Sequence, residues 1–263
     1  MKNKVCLITG AASGLGYEFS KLAIKDGFDL ILVDINAKKL SAVKKELENI
    51  SRQNVAIISK DLCKQNVVNE IFDKIKNDQI DMLINNAGFG LFGKFHETEW
   101  ELEERMMYLH MMTCTHLTKL VLQKMIQNNK GKILNIASLA AFQPGPFMSI
   151  YYASKSFLLS FSEAIANEVK NTGVSITVLC PGPTKTNFQS TVSSTSSKNK
   201  LSLNMANANE VAIYGYEALK KKKIIAIPGI FNKILAFLPR ILPRNLVTSI
   251  VLKVQTANRS VSY

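Results

Sequence analysis

Short apolar runs alternate with longer stretches of helical period along this chain. The runs occupy 5–9, 30–33, 55–59, 82–85, 133–137, 175–179 and 224–227, and each is rich in Ile, Val and Leu. Continuous apolar character, rather than alternation, marks strands buried on both faces. Between the runs the period changes. Over 37–50, Leu40, Val43, Leu47 and Ile50 recur at spacings of three and four, which gathers them on one side of a helix. Repeated strand–helix alternation predicts a parallel sheet with helices on both faces, a doubly wound α/β fold. No internal repeat is present, and no linker interrupts the pattern before about residue 186. The expected organisation is one nucleotide-binding domain over 1–228 and a basic amphipathic helical extension over 229–263. Within the domain, 186–208 is rich in Ser, Thr and Asn. Such a stretch is ordinarily a surface loop, but its place after the sixth strand makes it a candidate substrate loop.

Composition narrows the class. Hydrophobic residues make up 47% of the 263, enough for a substantial core and unlike a disordered or fibrous protein. Cys6, Cys63, Cys114 and Cys180 show no metal-ligand or redox-pair spacing, so all four read as reduced thiols of a cytoplasmic protein. The apolar stretch behind Lys2 and Lys4 breaks at Gly10, Gly14 and Gly16, too early for a secretion signal, and it reads as a first strand entering a glycine-rich turn. No uncharged apolar segment is long enough to predict a membrane span.

The first candidate chemistry lies in that turn. Thr9, Gly10, Ala11, Ala12, Ser13, Gly14, Leu15 and Gly16 follow a strand and open a helix. Glycines here permit a tight turn and close approach of the backbone to a pyrophosphate, which the helix amino terminus attracts. Asp34 ends the second predicted strand, where a carboxylate can accept hydrogen bonds from an adenosine ribose and repel a 2′-phosphate. Ser13 precedes Gly14 and Ile35 follows Asp34, so a 2′-phosphate lacks an obvious cationic partner, although Lys38 and Lys39 are near. NAD(H) is therefore favoured, with NADP(H) as the alternative.

A second constellation opens a helical stretch running to Val169. Tyr151 and Lys155 stand four apart and share a helix face, whereas Tyr152 does not. A phenol is a poor base at neutral pH, and a neighbouring ammonium favours its ionised form. Ser138 closes the fifth predicted strand, where its hydroxyl can meet a reacting oxygen.

Together with Asn85, Asn86, Ala87 and Gly88, and with the run Pro181, Gly182, Pro183, Thr184, Lys185 and Thr186, these motifs resemble the short-chain dehydrogenase/reductase family. Within it the chain resembles the branch of hydroxysteroid dehydrogenase-like bacterial reductases. The resemblance covers most of the chain in the family's order. It implies a Rossmann-type, seven-stranded parallel sheet, usually in homodimers or homotetramers. It implies Tyr151 as acid/base, Lys155 binding nicotinamide ribose and lowering the Tyr151 pKa, and Ser138 orienting the substrate oxygen. Asp61 and Leu62 resemble the adenine-contacting pair, Asn85 to Gly88 would support the sheet beside the cofactor, and Thr186 would lie near the carboxamide. One position departs. The family's asparagine, whose main-chain carbonyl holds a relay water, is replaced by His110. The sequence suggests that His110 modifies the proton relay as a group titrating near neutral pH, against the plainer reading of a space-filling histidine.

Charge changes the picture only at the end. The formal net charge is +13, and after Glu217 there are nine lysines and arginines and no acidic residue. Apolar stretches over 231–238 and 241–254 are broken by Pro239 and Pro243. Such a tail can pack over the active site, meet a second subunit, or lie on an anionic membrane, with packing slightly favoured. No nucleic-acid-reading motif accompanies the charge. The function expected is hydride transfer between a nicotinamide dinucleotide and the carbonyl or alcohol of an apolar small molecule. NADPH-dependent reduction of a lipid-like or acyl ketone and a non-catalytic dinucleotide sensor stand as alternatives. Phe92, Phe95, Phe142, Phe147, Met148 and Phe188 are the expected pocket aromatics and methionine.

Overall fold

Residues 4–76, 78–186, 188 and 205–259 are described by a computed structural model. The strands β1 (Lys4–Thr9), β2 (Phe28–Asp34), β3 (Val55–Ser59), β4 (Ile80–Asn85), β5 (Gly131–Ile136) and β6 (Val174–Leu179) alternate with helices, as the apolar runs predict. A two-residue pair, β7 (Thr184–Lys185) and β8 (Ala206–Asn207), stands apart from them, and β9 (Ile225–Ala226) completes the main sheet. Its order is β3-β2-β1-β4-β5-β6-β9, all parallel. The seven-stranded, doubly wound expectation is met. The order reverses between β1 and β4, and a crevice opens there beyond the carboxyl ends of the strands.

The continuous apolar runs are explained by two cores, one on each face. In β1, Cys6 and Ile8 enter one cluster with Phe19, Leu40 and Leu47, while Val5 and Leu7 enter the other with Ile71, Leu117 and Val121. β2 divides in the same way, Leu30 and Leu32 to one side and Ile31 and Val33 to the other. Both faces of the sheet are covered, so these runs stay apolar instead of alternating, and each large aliphatic side chain contributes about 1.5–3 kcal/mol by burial. Helices α1 (Gly14–Lys25), α2 (Ala37–Ile50) and α7 (Ala208–Lys220) cover the first face. Helices α3 (Val67–Lys74), α5 (Cys114–Gln127) and α6 (Ser149–Glu168) cover the second. Helix α4 (Trp100–Met107) runs into α5 through a single wide π-turn, Tyr108–Thr113.

Three boundaries differ from those the sequence predicts. β5 ends at Ile136, before the expected 137, and Ser138 lies beyond it as the cap of a short turn, accepting the Ala140 N–H at 3.1 Å. Helix α6 starts at Ser149, ahead of Tyr151. The last strand shrinks from 224–227 to two paired residues. The tail forms α8 (Ile230–Phe237) and α9 (Arg244–Arg259). Most of the expected substrate loop, 187 and 189–204, lies outside the described residues.

Candidate active site

The glycine-rich turn is held from the β4 side. Asn86 donates through Nδ2 to the carbonyls of Thr9 and Gly10, both at 3.0 Å. The Thr9 hydroxyl oxygen accepts the N–H groups of Asn86 and Ala87 at 3.0 and 3.1 Å. Gly10 is left-handed (φ 65°), and a Cβ on Gly16 would stand 2.1 Å from the Gly10 carbonyl. The turn therefore closes only without side chains there. Ser13 caps α1 with no side-chain hydrogen bond, and no acidic residue lies in the first turn. The amino terminus of α1, with Leu15 buried behind it, presents bare N–H groups to the crevice.

Asp34 is fixed from two directions, Oδ2 accepting the Ala12 N–H at 3.0 Å and Oδ1 the Asn36 N–H at 2.9 Å. Beside it a cleft of about 350 Å³ is lined by Ile35, Ser59, Lys60, Asp61, Lys64 and Val67, among others. Asp61 pairs with Arg105 at 3.1 Å and accepts the Cys63 N–H. Burial opposes its ionisation, but that N–H and the guanidinium outweigh burial and hold its carboxyl below the usual range. Leu62 is buried, its carbonyl accepting the Thr113 hydroxyl at 2.7 Å. On the far side, the Pro181 carbonyl accepts the Leu139 N–H and the Gly182 carbonyl accepts the Thr184 hydroxyl. Thr186 packs so close that a Cβ on Gly14 would meet it at 3.1 Å. The donor set, an open helix end, a carboxylate at the end of β2 and an adenine-sized cleft next to it, fits a dinucleotide.

Tyr151 and Lys155 share a face of α6 and point into the molecule, 9% and 5% exposed. The Lys155 ammonium donates to the Ile136 carbonyl at 2.9 Å and lies 5.7 Å from the Tyr151 ring centre. Burial pulls its pKa down to about 8, so it keeps its charge at neutral pH but only narrowly. Behind it is a cavity of about 10 Å³, lined by Lys155, His110, Thr9, Asn85, Thr113 and Cys114 among others, which is room for one water. Ser138 accepts the Ala140 N–H, which leaves its O–H hydrogen to the crevice.

His110 departs from the sequence expectation. It is buried beside Lys155, and desolvation first, then that neighbouring charge, hold its pKa well below the ordinary imidazole value. A group so placed stays neutral and does not titrate near pH 7. Of the expected pocket residues, Met148, Phe92 and Phe188 cluster around Tyr151 and Phe147 lies tilted against Phe92, but Phe142 joins a separate cluster with Cys114 and Leu158, and Phe95 is exposed. Residues that periodicity did not single out also reach the site. Ser154 touches His110, Gln255 of α9 donates to the Tyr152 hydroxyl at 2.8 Å, and Asn232 of α8 fills the space a side chain at Gly182 would need.

Known proteins agree with this architecture. The short chain dehydrogenase family profile matches residues 4–197. Human 17-beta-hydroxysteroid dehydrogenase type 3 is 34% identical over 178 residues, 66% of this chain and 57% of its own length. The chain thus spans less than three fifths of the steroid dehydrogenases it matches. An uncharacterized oxidoreductase of Bacillus subtilis, YvrD, is 32% identical over 188 residues, 71% of this chain and 70% of that protein. A short-chain dehydrogenase from Sphingobium yanoikuyae, solved in complex with NADPH, superposes with TM-score 0.81 at 25% identity, covering 92% of this chain and 97% of that one. With the parallel sheet, the glycine turn and the inward-facing tyrosine and lysine in place, these matches show that the chain belongs to the short-chain dehydrogenase family, whose members are oxidoreductases that use a nicotinamide dinucleotide.

Proposed function

We propose that this chain oxidises or reduces the alcohol or carbonyl group of an apolar small molecule, with Tyr151 exchanging the proton at the substrate oxygen. The observation that carries the reading is Tyr151 buried next to the Lys155 ammonium, at the carboxyl edge of the sheet where the glycine turn and Ser138 converge. A bound dinucleotide supplies or accepts the hydride. The chain's own residues do the rest. The Lys155 charge favours the ionised phenol of Tyr151, which lowers the cost of moving a proton there. The Ser138 O–H holds the substrate oxygen by a hydrogen bond. Leu62, Ala87, Gly88, Pro181 and Thr186 would enclose the cofactor's nicotinamide and adenine sides. Met148, Phe92 and Phe188 form an apolar wall around Tyr151 that excludes water and suits a lipid-like or steroid-sized substrate.

The cofactor reading is NAD(H), because Asp34 is already held in place to meet a ribose and carries charge against a 2′-phosphate. NADP(H) is the alternative. Calorimetric titration with NADH and NADPH, followed by a carbonyl panel read at the nicotinamide absorbance, tests both parts. NADH binding with turnover lost in Tyr151→Phe supports the reading. NADPH preference removes the assigned role of Asp34. Binding without turnover on any carbonyl moves the chain to the sensor reading.

The same reading places the protein in the cytoplasm, supported by four free thiols, three of them buried, and in homodimers or homotetramers, which sedimentation velocity reads directly. Among the described residues no helix is long and apolar enough to cross a membrane. The tail nevertheless has two faces. Ala236, Val247 and Val251 are buried inward, while Ile230, Phe231, Phe237 and Ile241 are 77%, 71%, 55% and 64% exposed among Lys233, Arg240 and Arg244. Packing and peripheral contact thus need not compete, and an anionic bilayer surface fits the outer face by charge and apolar area. Co-sedimentation with phosphatidylglycerol-containing vesicles is expected for the parent and lost in Phe231→Asp/Phe237→Asp. Equal partitioning of the two would remove the membrane from the reading.

A further inference from the structure

His110 occupies the π-turn between α4 and α5 and is 1% exposed. Among the described residues each ring nitrogen has one hydrogen-bond partner, and the chemistry of those partners fixes the proton. The Phe89 amide can only donate, so Nε2, 3.3 Å away, presents its lone pair. A neutral ring then carries its hydrogen on Nδ1, which faces the Ser154 hydroxyl at 2.9 Å. Ser154 accepts there and donates its own hydrogen to the main-chain carbonyl of Tyr151 at 2.8 Å. Three hydrogen bonds, all pointing the same way, run from the loop after β4 through the imidazole to the carbonyl of the reacting tyrosine.

Two further contacts make the arrangement specific. The His110 ring meets the Tyr151 ring edge-on, with centroids 5.9 Å apart at 71°. A Cβ on Gly88 would stand 2.9 Å from Nε2 and 3.6 Å from the Lys155 ammonium, so only glycine at 88 lets the imidazole approach the loop. An imidazolium would place an N–H against the Phe89 N–H, which breaks the first bond.

The structure assigns His110 as a positioning residue, a neutral, Nδ1-protonated clamp that fixes Tyr151 against the loop after β4. This goes beyond a backbone role at the position, because the side chain itself makes the first two of the three bonds. The assignment rests on Tyr151 as the proton-exchanging group. It also separates the two nitrogens experimentally. An asparagine at 110 reaches only the place of Nδ1, and a phenylalanine keeps the ring volume with neither bond.

The first test is the 15N spectrum of the NADH-bound protein carrying labelled histidine. A pyridine-like Nε2 and a pyrrole-like Nδ1 for His110 are expected at neutral pH. The opposite tautomer, or an imidazolium, overturns the clamp whatever the enzyme's activity. The second test is kinetic. His110→Phe and Ser154→Ala should each lower kcat about tenfold, with NADH affinity unchanged and KM moved less than kcat. The double variant should be no worse than the poorer single one, because both changes break one chain. His110→Asn should recover part of the loss. Unchanged kcat in both single variants, or losses that multiply in the double, overturn the assignment. Turnover surviving in Tyr151→Phe would instead sink the functional reading and leave the spectroscopic result standing.

Discussion

On the β1–β3 side of the crevice, where the proposed cofactor would lie, the chain offers backbone groups, whereas on the β4–β6 side, where the proposed substrate would lie, it offers buried side chains. The first side needs glycines at 10 and 16, the bare end of α1 and one carboxylate, Asp34, anchored by two amides. Most of its residues could change without altering the groups it presents. The second side depends on the identity of almost every side chain, because Tyr151, Lys155, Ser154 and His110 are all buried and each supplies a polar atom. Backbone surfaces are set by shape, and buried side-chain sites by complete pairing, so the two sides should fail differently.

The largest expected effect is on the side-chain half alone. Tyr151→Phe should lower kcat by about a thousandfold while leaving NADH affinity intact, as calorimetry and single-turnover rates would read. A matching loss of NADH binding would mean the two halves are not separable. Next comes Lys155→Met, expected to cost about a hundredfold in kcat and yet raise the melting temperature, since a buried ammonium with a depressed pKa opposes folding. A lowered melting temperature would show that the Ile136 carbonyl bond outweighs the desolvation.

On the backbone half, Gly16→Ala should weaken NADH binding by about tenfold or more and lower the melting temperature, because the new methyl meets the Gly10 carbonyl. Unaltered binding would sink the backbone-cradle account. Asp34→Ala should shift the NADH-to-NADPH affinity ratio by about tenfold at most and leave kcat nearly untouched. The smallest effect is one of pH. The folded Lys155 pKa is about 8 against an ordinary 10.5, so between those values the unfolded chain binds more protons and native stability rises with pH. Below about pH 8 both states are protonated and the penalty is fully present. Urea titrations of the cofactor-free protein across that window should show the rise, and Lys155→Met should flatten it.

The same division decides what the sequence made legible. The glycine turn, Asp34 and the Tyr151–Lys155 pair are short-range patterns, readable because backbone conformation and helical spacing are local. The central strands were readable because burial on both faces leaves apolar runs, and the edge strand β3 because it keeps Val55, Ile57 and Ile58. What escaped was pairing across long separations. His110 and Ser154 are 44 residues apart, Asn86 and Thr9 are 77, and Gln255 and Tyr152 are 103. No period signals a π-turn either, and the turn is what carries His110 into the interior. The histidine read as a titrating group for that reason, since its desolvation is a tertiary property. The tail offered a choice between packing and exposure because periodicity shows that a helix has an apolar stripe, not that it has two.

The hydrogen bond from Gln255 to Tyr152 gives α9 mechanical leverage on the proposed reaction chamber. Tyr152 is the covalent neighbour of Tyr151, and their rings stand 6.1 Å apart. Tension or relief on α9 is therefore delivered one peptide bond from the tyrosine proposed to exchange the proton. A variant lacking α9 would not be a neutral edit in this protein, and rates measured on it would describe a chamber with one wall unfastened.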